Sequence, residues 1–467
     1  MAANIEDVLA EITEAYAESD GNSIPELIGG LDERLEKALR ADALALFERV
    51  MSTFGKAESY GTPSGFKEVT VCTTLGYAHY SRAYYAPSTG RRTRQMRRAD
   101  ERLKLKAEKR ERRKRGGIYP RHGGAPCAFP LDAAIDITDG MTPAMRDKMQ
   151  RAACMTGSFA EGSSTVKLFT GVDIPAATFR RKALVAGERA ADAQEAPLMR
   201  ILSPFLHAWL LSVTAAVTPT LYIMLDGTGV PCVRKDTEGV KGKGEDGKAR
   251  TREVKVGVVG TYRRIDAKGR PVRDPLCESH IVSMKDASAF GTLLRRLAFS
   301  RGYGTDFRIQ IVGDGAEWIA NIVRTAFPDK DVIFTNDFFH ACEYLHAAVT
   351  LAEKDVANIA KVYKAAKSIL YRFGGASLIK HMRKRYATLD ANHEAWGKLG
   401  YIDDRCEHMK YGEYRKQGLY IGSGLVESAC RTDVARRCKQ SGMHWRFKNA
   451  ASMCALVARF RSKLPAA

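Results

Sequence analysis

Two apolar, strand-like runs in this chain end in the same way. Leu221-Tyr222-Ile223-Met224-Leu225 leads into Asp226-Gly227-Thr228-Gly229, and Ile309-Gln310-Ile311-Val312 leads into Gly313-Asp314-Gly315. Each run places an aspartate at the tip of a buried strand with glycine beside it. A strand tip is rigid, and glycine lets a ligand or phosphate approach the backbone closely. A third carboxylate, Glu427 in Gly422-Ser423-Gly424-Leu425-Val426-Glu427-Ser428-Ala429-Cys430, opens a long basic helical pattern. Two strand-end aspartates and one helical glutamate form a hard-oxygen set of the kind Mg²⁺ takes. Two such ions about 4 Å apart can activate the attacking oxygen and stabilise the leaving oxygen of a phosphodiester displacement. An aspartate before glycine is also a common turn residue, and Glu427 could pair with Arg431 on an exposed helix face.

The pattern around these residues gives the fold class. After the first aspartate strand comes a lysine- and glycine-rich hairpin loop, Lys235 to Arg250, followed by strands at Glu253 to Arg264 and near Glu278 to Met284. A helix from about Asp286 to Ser300, the second aspartate strand, a helix from Ala316 to Ala326 and a short strand at Val332-Ile333-Phe334 follow. Three successive strands and then alternating helix and strand predict an α/β, RNase H-like mixed sheet. Residues 338–415 read as almost wholly helical and form an all-helical insertion between the second aspartate and the glutamate. Helical and small β-hairpin modules precede the sheet.

The expected organisation is a helical segment over 1–54, a β-hairpin module over 55–135 with a basic insertion at 91–116, and a helical region over 136–196. The catalytic core then falls in two parts, 197–337 and 416–467, around the insertion. In the 136–196 region Phe159, Val166 and Phe169 mark one helix, Gly171 a turn, and Pro175 to Gly187 a second helix carrying Arg180, Arg181 and Lys182. A helix-turn-helix DNA-binding unit has this form, and so has any basic helical hairpin.

Composition bears on the partner. Among 467 residues, 74 Lys/Arg stand against 54 Asp/Glu for a net charge of +20. Such a field favours nucleic acid as partner over an anionic membrane. Arg91 to Arg115 alone carries +10, as a phosphate-contacting arm or a solvated basic helix or disordered segment. The opening residues carry Glu6, Asp7, Glu11 and Glu14, which is not a secretory signal pattern. The uncharged stretch Ile201 to Leu225 contains Pro204, His207 and Pro219, and reads as a buried helix and strand rather than a membrane span. Ten scattered cysteines with no C-x-x-C pair predict reduced thiols in a cytoplasmic protein and no structural zinc.

The segments LDGTGV, IVGDGAEWI, NDFFHACEYL and GSGLVESACRTDVARRCKQSGMHW resemble those of DDE transposases from bacterial insertion sequences, in particular the ISKra-type family near the Mutator-like branch. The resemblance spans residues 66–460 in motif order and is most specific over the last segment. It implies an RNase H-like catalytic domain in which Asp226, Asp314 and Glu427 hold two Mg²⁺ (or Mn²⁺) ions. It also implies that the Asp337 and His340 pair lies beside the metals, with His340 orienting a water or phosphate and Asp337 holding its tautomer. Without the resemblance, His340 is an ordinary helix-face histidine. A zinc role for it with Glu343 and His346 lacks a fourth ligand.

The Ser441-Gly442-Met443-His444-Trp445 element resembles the family too. There His444 and Trp445, with Arg436, Arg437, Lys439 and Arg446, would stack on and clamp a DNA end; the alternative is a core tryptophan and a solvated basic face. One departure stands out. Family members carry a Tyr-x-Cys-x-x-Cys-Gly element before Pro-Leu-Asp, whereas Tyr84 to Gly90 here lacks the cysteines and the basic run intervenes before Pro130-Leu131-Asp132.

The expected function is binding, cleavage and joining of the DNA ends of an insertion sequence, by a homodimer or larger homo-oligomer in the nucleoid. The rivals are an RNase H-like nuclease or resolvase without strand transfer, and a non-catalytic DNA-binding domesticated transposase.

Overall fold

The computed structural model describes residues 5–18, 30–55, 63–85, 129–196, 220–242, 247–305 and 307–463. The basic run at 91–116 and residues 201–219 of the uncharged stretch lie outside them. Two compact units emerge, residues 1–149 with 163–175, and residues 150–162 with 176–467.

In the first unit, α1 (Ile5–Glu18) and α2 (Leu31–Gly55) precede a hairpin of β1 (Gly65–Cys72) and β2 (Tyr77–Tyr84). The strands pair antiparallel, Gly65 opposite Tyr84 and Cys72 opposite Tyr77, as the alternation of polar and apolar residues predicts. Thr73 closes the turn by donating its hydroxyl to Gly76 O while accepting from Leu75 N. Val71, Ala78 and Tyr80 from one face of the hairpin bury against Met51, Leu44 and Phe47 of α2. A one-turn helix at Pro130–Ala134 supplies Asp132 to an ion pair with Arg82.

Helices α3 (Pro143–Met155), α4 (Phe159–Thr170) and α5 (Ala176–Glu195) follow. Gly171 takes a φ of 67° just after α4, the left-handed stop that glycine tolerates best.

The second unit is built on a five-stranded sheet of β3 (Thr220–Pro231), β4 (Thr251–Ile265), β5 (Pro271–Ser283), β6 (Arg308–Gly313) and β7 (Val332–Asn336). Its order is β5-β4-β3-β6-β7. β3 pairs antiparallel with β4 and β4 with β5, whereas β3–β6 and β6–β7 are parallel. Three sequential antiparallel strands with two parallel additions make a mixed sheet compatible with the RNase H-like expectation.

Leu221, Ile223 and Leu225 of the central strand pack on one face against α6 (Ala287–Ser300) and α7 (Glu317–Ala326), through Phe290, Leu294, Ile319 and Ile322. Asp286 caps α6 by accepting from Ala289 N.

After β7 the chain is helical: α8 (Phe338–Ala352), α9 (Val356–Arg385), α10 (Glu394–Asp403), a 3₁₀ turn at Cys406–His408 and α11 (Tyr411–Lys416). These segments close around their own core of Leu345, Val349, Leu370, Leu378, Ile402 and Tyr411. α9 breaks at Gly374, whose φ is 84°; a Cβ there would lie 2.6 Å from Met409 O.

Glu427 belongs to α12 (Gly424–Ala429), which runs through a π-helical segment at Cys430–Ala435 into Arg436–Cys438. The last helix, α13 (Phe447–Arg461), packs against α5, where Gly187 lets the Ser452 backbone approach too closely for any side chain. Among the described residues, no helix is long and apolar enough to cross a membrane.

Candidate active site

The register of the parallel strands brings the sheet acids into line. Met224 lies opposite Val312 and Gly313 opposite Asn336, so Asp226, Asp314 and Asp337 follow at matching positions. Asp314 and Asp337 stand just beyond β6 and β7, whereas Asp226 is not the strand tip the sequence predicts: pairing with β4 carries β3 on to Pro231. They nonetheless have different environments. Asp226 and Asp314 are half-buried, whereas Asp337 is 1% exposed.

Asp226 Oδ1 accepts from Gly227 N at 2.6 Å, and Oδ2 accepts from the Cys430 thiol at 3.4 Å. Burial holds its carboxyl above the usual carboxylate range. The Gly227 and Cys430 hydrogen bonds pull the other way, and the charges of Asp314 and Glu427 push it up further. Both other members of the expected triad therefore act electrostatically on this one group. Glu427 is exposed to solvent, with Oε1 accepting from the Ser423 hydroxyl at 2.8 Å. Asp314 Oδ1 accepts from Ala316 N at 3.0 Å, which turns the chain into α7. No lysine, arginine or histidine forms an ion pair with any of the three among the described residues.

The chemistry of this donor set suits a hard divalent cation: carboxylate oxygens only, sharing a region with no cationic partner. Both oxygens of Asp226 and one each of Asp314 and Glu427 accept from protein donors, and among the described residues no group of three His, Cys, Asp or Glu side chains is drawn tightly enough to hold a metal ion.

The Asp314 loop is clasped from the helical stretch. Tyr401 donates its hydroxyl to Asp314 O, and accepts from Asn336 Nδ2 at 3.0 Å. Arg405 Nε donates to Gly315 O at 2.9 Å. Gly315 has a φ of 77°, and a Cβ there would overlap Asn336 Oδ1, a buried acceptor left without a partner. Sequence reasoning missed Tyr401, Arg405 and Asn336, since nothing local marks residues that meet the loop from far along the chain.

Asp337 and His340 depart from expectation. Asp337 is the N-cap of α8: Oδ1 accepts from His340 N at 2.6 Å, and Oδ2 from Ser423 N. Its oxygens serve two backbone amides, so it does not hold the imidazole tautomer. The His340 ring instead has Nδ1 3.4 Å from Glu343 Oε2 and lies edge-on to Tyr401 at 6.0 Å. The His346 ring faces Tyr363.

The expected DNA clamp divides. Arg437 is 1% exposed, donates to Ala153 O and Gly157 O, and sits over the rings of Phe159 and Trp445. Trp445 is 8% exposed and meets Phe159 edge-on. Both are core residues, because the chain after the π segment turns this pair inward, and neither face is open for a base to stack. Arg436, His444 and Arg446 remain exposed, Arg446 3.3 Å from Asp236. Lys439 donates to the Thr228 hydroxyl, two residues beyond Asp226. Arg180 and Arg181 are exposed on α5, and Lys182 is half-buried.

A groove of about 1090 Å³ starts at Gly227, Thr228 and Gly229, directly beyond Asp226. Lys241, Lys248, Arg250, Arg252, Lys255 and Lys285 line it, against two acids, Glu253 and Asp286. The lysine-rich stretch from Lys235 to Arg250 was its sequence signal, read there only as a loop.

No protein-family model matches the chain, and no curated protein does. Among solved structures, the Drosophila P element transposase strand transfer complex matches with 11% identity and a TM-score of 0.23, over 77% of this chain and 85% of that chain. A likeness of that size carries nothing about the site.

Proposed function

We propose that this protein is a Mg²⁺-dependent DNA-cutting and DNA-joining enzyme of the DDE transposase type, with Asp226, Asp314 and Glu427 as its metal-holding carboxylates. The observation that carries the reading is the register that sets Asp226 beside Asp314 on adjacent parallel strands, with the charges of Asp314 and Glu427 both acting on Asp226. The strand order is compatible with an RNase H-like core, and the four motif segments resemble DDE transposases.

Asp226, on which both other charges act, would hold the metal together with Asp314 and Glu427. When bound, the ions supply the charge that activates the attacking oxygen and steadies the leaving one. The chain's own residues do the rest. The cations of the groove beyond Asp226 hold a phosphate backbone by charge, without reading sequence. Tyr401 and Arg405 fix the Asp314 loop so that the strand-end carboxylate keeps its place. DNA is the proposed substrate, and a homodimer or larger assembly would handle paired ends.

Supercoiled plasmid in Mg²⁺ tests the reading. The full chain is expected to nick it, and Asp226→Asn, Asp314→Asn and Glu427→Gln are each expected to abolish nicking while DNA binding persists. Nicking retained by any of the three would remove that residue from the site. Joining of pre-cut ends into a target separates a transposase from a nuclease without strand transfer. Binding with no cleavage in Mg²⁺ or Mn²⁺ would leave a DNA-binding protein only.

A further inference from the structure

A second cavity, of about 450 Å³, lies on the face of the α12 segment opposite Glu427. Leu425, Ser428, Ala429, Thr432 and Arg436 line it at helical spacing, whereas Glu427 and Cys430 belong to the carboxylate side. The remaining walls come from β5, from α13 and from the end of α3.

Its charge is one-sided. Arg151, Arg273, Arg436, Arg461 and Lys463 line the cavity, with Glu278 as the only carboxylate among the lining residues. The acids near it are already committed. Buried Glu278 accepts a forked pair from Arg273 at 2.6–2.9 Å and the Tyr222 hydroxyl at 2.7 Å. Asp433, fully buried behind the wall, is 2.7 Å from His280 Nδ1 and accepts from the Thr432 hydroxyl at 2.8 Å. Arg461 Nε stands 3.7 Å from Asp433. Arg151 lies over the Phe460 ring at 4.8 Å, which orients its guanidinium. Arg436 and Lys463 form no ion pair among the described residues.

Guanidinium forks with a lysine on a concave wall match the oxygens of a tetrahedral dianion. The volume falls within the span of small-ligand pockets, roughly 300–1,000 Å³. A cavity that only separated helices would not need its cations to outnumber its carboxylates.

We propose that this cavity binds a phosphate group, with Arg436, Lys463 and Arg461 as its charge partners and the Ser428 hydroxyl as a further donor. The group could be carried by a small phosphorylated molecule or by a nucleic-acid backbone. The site is independent of the nuclease reading and would stand if the carboxylate cluster cut nothing.

Calorimetric titration of the full chain with inorganic pyrophosphate, at fixed ionic strength without Mg²⁺, tests it. One saturable site is expected. Arg436→Gln with Lys463→Gln is expected to weaken it at least roughly tenfold, as loss of charge-assisted hydrogen bonds does. Lys364→Gln, an exposed lysine on α9, should leave the affinity unchanged. Thermal melts of each variant establish that it is folded. A duplex oligonucleotide that displaces pyrophosphate marks a backbone phosphate as the occupant; simultaneous binding of both marks a free phosphorylated ligand. Absence of saturable binding, or equal affinity in the folded double variant, overturns the proposal. So does loss of binding on Lys241→Gln alone, which would place the anion in the other groove.

Discussion

The Cys430 thiol donates to Asp226 Oδ2 across 3.4 Å, joining two residues 204 positions apart. The contact ties the start of the π-helical segment to the middle of the central strand. Segments of this kind recur at functional sites, where the extra residue in the turn re-aims a side chain. The thiol works against burial on Asp226, since its hydrogen bond lowers a carboxyl pKa that desolvation raises. Replacement by Cys430→Ala is therefore expected to raise the Asp226 pKa further. The rising limb of a pH–nicking profile should move to higher pH, with the plateau retained. An unmoved limb would show that Asp226 does not govern it.

Asp226→Asn offers a stability readout that needs no substrate. A carboxyl raised in the folded state contributes stability that is full below its unfolded value and is lost as pH rises through the folded value. Without metal, the asparagine variant should thus be more stable than the parent near neutral pH, by roughly 1 kcal/mol, the scale of a typical function-for-stability exchange. Below about pH 4, the unfolded aspartate value, the two should converge. Chemical denaturation at pH 4 and pH 7.5 measures the difference.

If Asp226, Asp314 and Glu427 hold the metal as proposed, Mg²⁺ should stabilise the parent protein by linkage, because the unfolded chain has no such site. The melting temperature is expected to rise with Mg²⁺ concentration and to return when the metal is chelated. Asp314→Asn and Glu427→Gln should each flatten that response.

Gly315→Ala tests the loop. A positive φ and the overlap with Asn336 Oδ1 should together cost about 1–3 kcal/mol. Tyr401→Phe is milder, losing the bonds to Asp314 O and Asn336 Nδ2 for about 1 kcal/mol. Both variants should lower the nicking rate more than DNA affinity, compared in single-turnover assays.

Arg436 and Arg437 are adjacent and should behave oppositely. Arg437→Met should lower stability by about 2–3 kcal/mol by leaving the Ala153 and Gly157 carbonyls unpaired, with little change in the salt dependence of DNA binding. Arg436→Gln should leave the melting temperature in place. Denaturation curves and a salt titration of DNA binding distinguish the pair.

Much of the architecture was readable in order along the chain, because period-2 and period-3.6 patterns, caps and glycine stops are local. The hairpin ending at Tyr84, the three successive strands, the Asp286-capped helix and the helical run from Phe338 to Lys416 all follow from such signals. So does the position of Asp314 at the end of β6, whereas Asp226 lies within β3, which pairing with β4 extends to Pro231. Which residues meet was not readable. Trp445 and Arg437 carry the composition of a DNA clamp, yet packing against Phe159 puts them inside. Asp337 has the chemistry of a ligand or tautomer-holder, yet it caps α8 and binds the Ser423 amide. Tyr401, Arg405 and Cys430 reach the carboxylates only after the helical stretch has folded back. Local sequence sets backbone preference and which face of an element is apolar. The neighbours of a side chain, and so its charge state and its role, depend on contacts between residues far apart in the chain, which only the packed sheet and helices specify.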